Sequence, residues 1–265
     1  MNAKERHNAI LQLIADKGMV TVTELCERFG VSDMTIRRDL STLEGANLLR
    51  RMYGGAIAAR GRSFEPPLLI RAAESTQVKA AIGAYAATLV RDGDSIALDV
   101  GTTTLQMARN LSKVRALTVI TASLPIVNVL TEYADIRVVV AGGILRREEQ
   151  SMVGAIAEET FQRFNVDKVF IGTAGLDAES GLTEYNLDDA RVKEYLIRSG
   201  QRRILLADSG KLGRRKLARV AALKEIHELV TDDGLDDDFR AILHKFGITV
   251  HVVEVSKQNN PNVDL

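Results

Sequence analysis

Residues 32–43 of the chain read SDMTIRRDLSTL, a stretch typical of a short helix with one apolar face. Ser32 has the short polar side chain that is preferred at the N-cap of a helix. Ile36, Leu40 and Leu43 follow at the spacing at which side chains share one helical face. The pattern predicts a capped helix that packs its apolar face on a small core and leaves its other face open to solvent.

The other face of this helix is rich in groups that bind DNA. The side chains that point away from the apolar face, or flank it, are Met34, Thr35, Arg37, Arg38, Ser41 and Thr42. An arginine can bridge O6 and N7 of a guanine in the major groove, and a hydroxyl reaches phosphates or base edges. The face therefore predicts a helix that enters the major groove, contacting DNA also through Ser32. The alternative is that its arginines form an ordinary solvated surface.

The flanking segments complete a winged helix-turn-helix. Residues 10–18 carry apolar side chains at helical spacing and end in glycine, and residues 21–24 read as a capping box that opens a second short helix. Residues 48–57 predict two short strands around a basic turn that contains glycine. Arg50 and Arg51 of this predicted wing are expected to contact phosphates or the minor groove.

The remainder of the chain alternates short apolar strands with helices. The predicted strands are 95–100, 117–120, 136–140, 169–171, 204–206, 229–230 and 248–253. Such alternation predicts an α/β domain built around a mainly parallel sheet that is buried on both faces.

Four segments follow from these patterns. Residues 1–57 form the predicted winged helix-turn-helix, and residues 58–76 form a linker, since two consecutive prolines resist both helix and sheet. Residues 77–255 form the α/β domain, which is expected to bind an effector and to oligomerise. Residues 256–265 are a polar tail.

Glycines, hydroxyls and charged side chains follow the predicted strands. Residues 99–104, DVGTTT, join a strand to a helix and form a cradle of backbone N–H and hydroxyl groups for an anion. Because the carboxyl ends of parallel strands meet at one rim, we expect an effector to bind there. The candidate effector-binding residues at this rim are Asp99, Gly101, Thr102, Thr103, Thr104, Ser123, Gly142, Gly172, Asp208 and Lys211. The alternative is that these glycines and threonines serve only backbone geometry and helix capping.

Composition excludes several classes of protein. The 35 basic and 35 acidic side chains give a formal net charge of zero, so net charge identifies no nucleic-acid partner. The single Cys26 excludes an internal disulfide or a cysteine-cluster zinc site, and neither a metal nor a cofactor is expected. Gly210-Lys211 lacks the upstream glycine and the following Ser/Thr of a phosphate-binding loop. No apolar run approaches the roughly 20 residues that cross a bilayer, so we expect a cytoplasmic protein without a membrane partner.

The first domain contains a set of motifs at fixed spacing: Val31-Ser32, TIRRDL at 35–40, Leu43-Glu44 and RMYGGA at 51–56. In these motifs it closely resembles the DeoR family of bacterial transcriptional repressors. Asn47 stands where the family usually has glycine, and Tyr53 stands where many members have histidine.

The resemblance extends through the second domain. It implies a sensor domain similar in fold to sugar-phosphate isomerases and CoA transferases, which binds a phosphorylated sugar and usually releases the repressor from its operator. The family's patterns match Asp99 and residues 101–104, and its Asp-Ser-x-Lys pattern matches residues 208–211. A further pattern, Glu-Ala followed by Lys, falls on Asp189 and Lys193 and so adds both to the effector-binding candidates.

These patterns predict a ligand-responsive repressor of a carbohydrate-catabolism operon. A lone module of this size binds DNA weakly, so a homodimer or higher oligomer on repeated half-sites is expected. One alternative is a sugar-phosphate isomerase-like or transferase-like enzyme fused to a DNA-binding module, for which the sequence offers no compelling nucleophile–base pair. Another is a constitutive architectural DNA binder, which leaves the α/β domain without a purpose.

Overall fold

The computed structural model describes residues 2–46, 48–58, 65–66 and 68–255. The chain divides into two compact units, Met1–Glu74 and Ser75–Leu265. The first unit has a hydrophobic core of its own, and the second has one on each face of its large sheet.

The first unit is a winged helix-turn-helix, as predicted. Its elements in chain order are α1 (Ala3–Lys17), β1 (Met19–Thr21), α2 (Val22–Phe29), α3 (Asp33–Gly45), β2 (Leu49–Met52) and β3 (Gly55–Ala58). Thr21 and Ser32 cap α2 and α3, because each accepts a backbone N–H three residues later. The capping box predicted at residues 21–24 is only half formed, since the Glu24 carboxylate pairs with Lys17 instead. Gly18 and Gly30 end α1 and α2 in the left-handed conformation that glycine adopts without strain.

The strands of the first unit form a three-stranded antiparallel sheet in the order β1-β3-β2. The hairpin β2–β3 is the predicted wing. The three residues of β1 were not predicted as a strand, because a segment so short shows no alternation of apolar and polar side chains. Ile10, Ile36, Leu40 and Leu49 are almost fully buried in the core beneath this sheet.

Part of the segment that the sequence predicts as a linker is helical. Helix α4 (Leu68–Ala73) begins just after Pro66-Pro67 in the sequence. Prolines are tolerated at the start of a helix, where the backbone N–H has no helical acceptor to lose. Residues 59–64 of the predicted linker and the predicted tail 256–265 lie outside the described residues.

The second unit alternates helices with strands. Its helices are α5 (Thr76–Thr88), α6 (Thr102–Ala108), α7 (Leu124–Leu130), α8 (Ala155–Gln162), α9 (Leu187–Ser199) and α10 (Asp237–Lys245). Its strands are β4 (Ser95–Leu98), β5 (Leu117–Thr121), β6 (Ile136–Val140), β7 (Ile144–Arg146), β8 (Ser151–Val153), β9 (Val166–Ile171), β10 (Gly175–Asp177), β11 (Gly181–Glu184), β12 (Gly200–Leu206), β13 (Ala218–Ala221), β14 (Glu228–Asp232) and β15 (Thr249–Val253).

Seven of these strands form one sheet in the order β15-β14-β12-β9-β4-β5-β6, and every neighbouring pair is parallel. The predicted parallel sheet is confirmed, and each predicted strand lies in it. Apolar clusters cover both of its faces, which explains why its strands read as nearly continuous apolar runs. The exits of β4 and β9 are adjacent at its centre, where Leu98 pairs with Phe170.

Two smaller antiparallel sheets were not predicted. One is the hairpin β7–β8, and the other has the order β10-β11-β13. The hairpin is attached to the exit of β5, because the N–H of Met152 donates to the carbonyl of Ala122 at 2.9 Å. The N–H of Leu124 donates to the carbonyl of Gln150, also at 2.9 Å. The hairpin therefore lies at the rim where the parallel strands end.

Within the described ranges, every helix is too short or too polar to cross a membrane.

Candidate functional site

Helix α3 presents its predicted polar face to solvent. Ile36, Leu40 and Leu43 are buried, whereas the side chain of Met34 is 80% exposed. The other predicted DNA-contacting residues on this helix and its cap are exposed, apart from the half-buried Thr35: Ser32, Arg37, Arg38, Ser41 and Thr42.

The hydroxyls at the start of α3 are held in place. The Oγ of Ser32 accepts the N–H of Thr35 at 3.4 Å and lies 3.0 Å from the hydroxyl of Thr35. The hydroxyl of Thr42 donates to the carbonyl of Arg38 at 3.0 Å. Each of these hydroxyl oxygens therefore has a hydrogen-bond partner in its own helix.

The four predicted DNA-binding arginines fall into two classes. Arg37 forms an ion pair with Asp33 one turn earlier, and its hydrogen bond is the main cause that lowers the pKa of the Asp33 carboxyl. Arg51 of the wing pairs with Glu44 at 2.9 Å. Arg38 on α3 and Arg50 on the wing are exposed and form no ion pair with any residue that the structure describes.

The turn of the wing adds a residue that the site prediction omitted. Tyr53 lies between β2 and β3 with 82% of its side chain exposed. Gly54 beside it has a φ of +78°, which shapes this tight turn. A large exposed aromatic at the tip of a basic hairpin is an additional candidate for a DNA contact.

A buried ion pair fixes α3 to α1. Asp39, on the side of α3 away from solvent, accepts hydrogen bonds from Arg6 Nε at 2.5 Å and from His7 Nε2 at 3.0 Å, both on α1. Burial raises the pKa of the Asp39 carboxyl, but the bonds from Arg6 and His7 outweigh it and hold that pKa below its usual range. Arg6 is therefore a structural residue that orients α3.

The centre of the second unit contains a buried charged cluster. The Nζ of Lys193 on α9 donates to the Oδ2 of Asp99 at 2.8 Å, to the Oε1 of Glu184 at 2.5 Å and to the carbonyl of Gly172 at 2.8 Å. The N–H of Gly172 donates to the Oδ2 of Asp99 at 2.9 Å. Lys193, Asp99 and Glu184 form what we call the carboxylate–lysine cluster. The sequence predicted Asp99, Gly172 and Lys193 but not Glu184, which lies in an unpredicted strand.

Burial and charge act in opposite directions within this cluster. Burial raises the pKa of the Asp99 carboxyl, and the Lys193 ammonium opposes that shift. Burial lowers the pKa of Lys193, but the carboxylates of Asp99 and Glu184 more than offset this and raise it above its ordinary value. Lys193 is therefore a permanent cation at the exits of β4 and β9.

The turn between β4 and α6 has the geometry of an anion cradle. Gly101 has a φ of +144°, which a residue with a side chain rarely adopts. Thr102, Thr103 and Thr104 follow it in the first turn of α6 and are buried. The hydroxyl of Thr104 donates to the carbonyl of Gly101 at 3.0 Å, whereas the hydroxyls of Thr102 and Thr103 form no hydrogen bond among the described residues.

The remaining predicted residues spread along the rim on both sides of this centre. Ser123 follows β5 and caps α7, and Gly142 follows the edge strand β6. Asp208 follows β12 on the other side, next to the half-buried Lys211, which has no ion pair among the described residues. At about 4.8 Å per strand, Ser123 and Asp208 lie three strands or about 14 Å apart. The predicted residues thus share a rim but do not all surround one small ligand.

Asp189 has a partner that the sequence did not indicate. It forms an ion pair with Arg146 at the end of β7, and both side chains are largely buried. Arg146 lies three residues after the Gly142-Gly143 pair. This glycine pair is the nearest feature in the sequence that indicates a site.

Comparisons with known proteins cover nearly the whole chain. Residues 6–61 match the model of the DeoR-like helix-turn-helix domain, and residues 74–233 match the DeoR C terminal sensor domain. The HTH-type transcriptional regulator GlpR of Haloferax volcanii is 37% identical over 93% of this chain and 96% of its own. The glycerol-3-phosphate regulon repressor of Escherichia coli is 32% identical over 88% of this chain and 92% of its own. The transcriptional repressor GlcR of Bacillus subtilis is 34% identical over 96% and 98%.

Similar solved structures are more distant. Ribose 5-phosphate isomerase A of Methanocaldococcus jannaschii matches with a TM-score of 0.39 and 18% identity over 52% of this chain and 55% of its own. The translation initiation factor eIF-2B of Pyrococcus horikoshii matches with a TM-score of 0.42 and 14% identity over 86% of each chain.

Proposed function

Because this chain belongs to the DeoR family of transcriptional regulators, we propose that it represses a carbohydrate-catabolism operon under the control of a phosphorylated sugar or sugar derivative. The effector binds at the rim of the sensor domain, and its binding changes the affinity of the first unit for operator DNA. The relatives are regulators and not enzymes, so the alternative of a sugar-phosphate isomerase or transferase is not favoured.

The effector proposal is carried by one observation: the rim offers groups that suit a phosphate near groups that suit sugar hydroxyls. The Gly101–Thr104 turn at the exit of β4 offers hydroxyls and backbone N–H groups to a phosphate. Lys211, which follows β12 two strands away, supplies an ammonium without an ion-pair partner among the described residues. The carboxylate–lysine cluster beside the turn offers acceptors and donors to sugar hydroxyls. A compound that carries a phosphate at one end and hydroxyls at the other uses both.

On the DNA side, α3 enters the major groove and the wing lies over the backbone. Arg38 is the side chain best placed to read a base, because it is exposed at the centre of the helix face and has no ion-pair partner among the described residues. Arg37 and Arg51 reach phosphates by exchanging their exposed ion pairs, which contribute little in water. Two copies of the chain on repeated half-sites supply the affinity that one small module lacks.

A thermal-shift screen against sugar phosphates and their unphosphorylated counterparts tests the effector proposal. A compound present at about 100 times its Kd stabilises the native protein by about 2.7 kcal/mol, which raises the Tm measurably. We expect one phosphorylated compound to raise the Tm, and we expect Lys211→Ala to abolish that shift. Lys224→Ala, an exposed lysine elsewhere in the same unit, is the control that keeps it.

The compound from the screen is then added to the complex of the protein with DNA. A change in DNA affinity that Lys211→Ala loses supports a sensor. DNA binding that no compound in the panel alters, together with no shift in Tm, contradicts control by a sugar phosphate.

A further inference from the structure

Three side chains form a row on one face of the β7–β8 hairpin. Arg146 and Ser151 are directly opposed in its antiparallel register, and Ser151 is opposed in turn to Ser123 through an isolated antiparallel bridge. Opposed residues of antiparallel strands place their side chains on the same face, with Cβ atoms about 5 Å apart. Ser123, Ser151 and Arg146 therefore lie side by side, in what we call the hairpin row.

The middle member of the row has an unsatisfied polar group. The side chain of Ser151 is 0% exposed, and its Oγ has no hydrogen-bond partner among the described residues. A buried hydroxyl without a partner costs free energy, because it gave up hydrogen bonds to water and gained none. A ligand hydroxyl that entered beside the hairpin would supply the missing bond once the groups that cover Ser151 moved aside.

The row continues into the carboxylate–lysine cluster. Arg146 pairs with Asp189, and Asp189 lies one helical turn before Lys193 on the same face of α9. The hairpin row and the cluster thus form one continuous polar lining that runs past the exits of β5, β4 and β9.

The charges of this lining decide whether it accepts the phosphate or the hydroxyl groups of an effector. Two cations, Arg146 and Lys193, stand against the three carboxylates of Asp99, Glu184 and Asp189, which leaves a net charge of −1 when all are ionised. A second phosphate would compete with Asp189 for Arg146 beside this excess of negative charge. Neutral hydroxyls both donate and accept, so they match the serines and the ion pair.

We propose that the hairpin row and Asp189 form a subsite for the hydroxyl groups of the effector, which is a polyhydroxylated phosphate ester. Its phosphate lies at the Gly101–Thr104 turn, and its hydroxyls contact Ser151 and the Arg146–Asp189 pair. This assignment rests on the proposed function, and it makes Ser151 and Arg146 the residues that select among phosphorylated compounds.

Ser151→Ala is the decisive variant, because it removes a hydroxyl that forms no hydrogen bond with any described residue of the free protein. We expect the Tm of the free protein to stay equal or to rise, while the Kd for the ester found in the thermal-shift screen increases about tenfold, as measured by titration calorimetry. Ser199→Ala is the matched serine-to-alanine control, because Ser199 is the last residue of α9, at the end of that helix away from Asp189. The Oγ of Ser199 donates to the carbonyl of Leu196 at 2.7 Å, so this change lowers the Tm and leaves the Kd unchanged.

Arg146→Gln is the second variant, and Arg202→Gln is its control. Arg202 pairs with the buried Glu228 near the opposite ends of the strands. We expect Arg146→Gln to weaken ester binding at least tenfold and Arg202→Gln to leave it unchanged. Inorganic phosphate, titrated as a competitor of the ester, probes the phosphate end, and its affinity should be the same in the wild type and in Ser151→Ala.

The outcomes separate this subsite from the proposed function. No binding by any ester in the panel overturns both. Ester binding of wild-type strength in Ser151→Ala and Arg146→Gln overturns the subsite alone. Failure of phosphate to compete, or a loss of phosphate affinity in Ser151→Ala equal to that of the ester, also overturns it, because the phosphate then does not lie where we place it.

Discussion

Arg38 and Arg50 are both exposed arginines without an ion pair among the described residues, yet they are expected to serve different purposes. Arg38 lies at the centre of a helix face that fits the major groove, where bases differ in their donors and acceptors. Arg50 lies on the wing, which we propose to lie over the DNA backbone, and phosphates carry no sequence information.

Replacement of each arginine by alanine should therefore have a distinct signature. Arg38→Ala is expected to weaken binding to the preferred site by about 1–3 kcal/mol and to relax preference at one base pair. Arg50→Ala should weaken binding to all sequences alike and reduce the dependence of log K on log salt by about one unit. Fluorescence anisotropy on a duplex selected from random sequence by the wild-type protein, and on a scrambled duplex, measures both. Equal losses on the two duplexes for Arg38→Ala would remove it from the base-reading residues.

Lys193→Met tests the carboxylate–lysine cluster. Loss of the ammonium leaves the carboxylates of Asp99 and Glu184 buried without their cation, which should cost about 3–5 kcal/mol of the free energy of unfolding. Burial raises the pKa of Asp99 above its unfolded value, so its ionised form opposes folding and its protonation relieves the strain. The deficit of the variant should therefore shrink as the pH falls from about 7.5 to about 5, as urea unfolding at each pH will show. A deficit that grows over this range, or an equal deficit in the exposed Lys224→Met, contradicts this.

At the scale of single residues, the sequence predicts which residue types lie at the site better than it predicts which residues contact one another. Asp99, Gly172 and Lys193 were found because strand exits and a family pattern point to them, and the structure brings them into contact. Glu184 and Arg146 were missed because each lies on a strand of three or four residues, and their partners depend on how distant segments meet.

Among the elements, helices α2 and α3 begin directly after their predicted capping residues, Thr21 and Ser32, because the signals for a helix start are local. A capping hydroxyl and the first apolar residues of the helix lie within one turn or two of each other. The two small antiparallel sheets have strands of three or four residues, in which apolar–polar alternation cannot be told from chance. The sequence does not predict helix α4, because consecutive prolines resist a helix, whereas here they precede one in the sequence.

The packing of α3 on α1 depends on one carboxylate. Asp39→Asn removes the charge that Arg6 and His7 share and should lower the free energy of unfolding of the first unit by about 3 kcal/mol. Because the pKa of Asp39 is held below its unfolded value of about 3.9, its stabilisation is complete above that pH and is lost as the pH falls through the folded value. Thermal unfolding followed by circular dichroism, between neutral pH and about pH 3, measures both effects.

Asp33→Asn is the comparison for this change. Asp33 forms an exposed ion pair on the same helix, so its loss should cost less than about 1 kcal/mol. Similar effects of the two substitutions would show that the buried pair does not hold α3.

Across the whole molecule, DNA and effector bind to different units. Each unit has its own hydrophobic core, so scanning calorimetry should resolve two unfolding transitions. DNA should raise the temperature of one transition, and the ester should raise that of the other. Arg38→Ala should reduce only the first shift, and Lys211→Ala should abolish only the second. A single transition that both ligands move would contradict this division.

The sequence predicts the class of the large sheet but not its strand order. Seven apolar strands alternating with helices require a parallel sheet with both faces covered. No local signal in the sequence predicts that β4 also pairs with β9, because this pairing joins segments about 70 residues apart. The position of the site at the exits of β4 and β9 therefore depends on the strand order. The family pattern predicts only which residue types belong to the site.

The position of β4 has a consequence for synthesis of the protein. The sheet of the first unit closes within residues 19–58, whereas the centre of the large sheet must wait until β9, residues 166–171, has been made. At roughly 5–20 residues per second, about 6–20 seconds separate the two events on the ribosome. A nascent chain therefore completes its DNA-binding domain before it has any means of sensing metabolite, and a chain interrupted in that interval would lack both the effector site and the domain expected to pair it with a second copy.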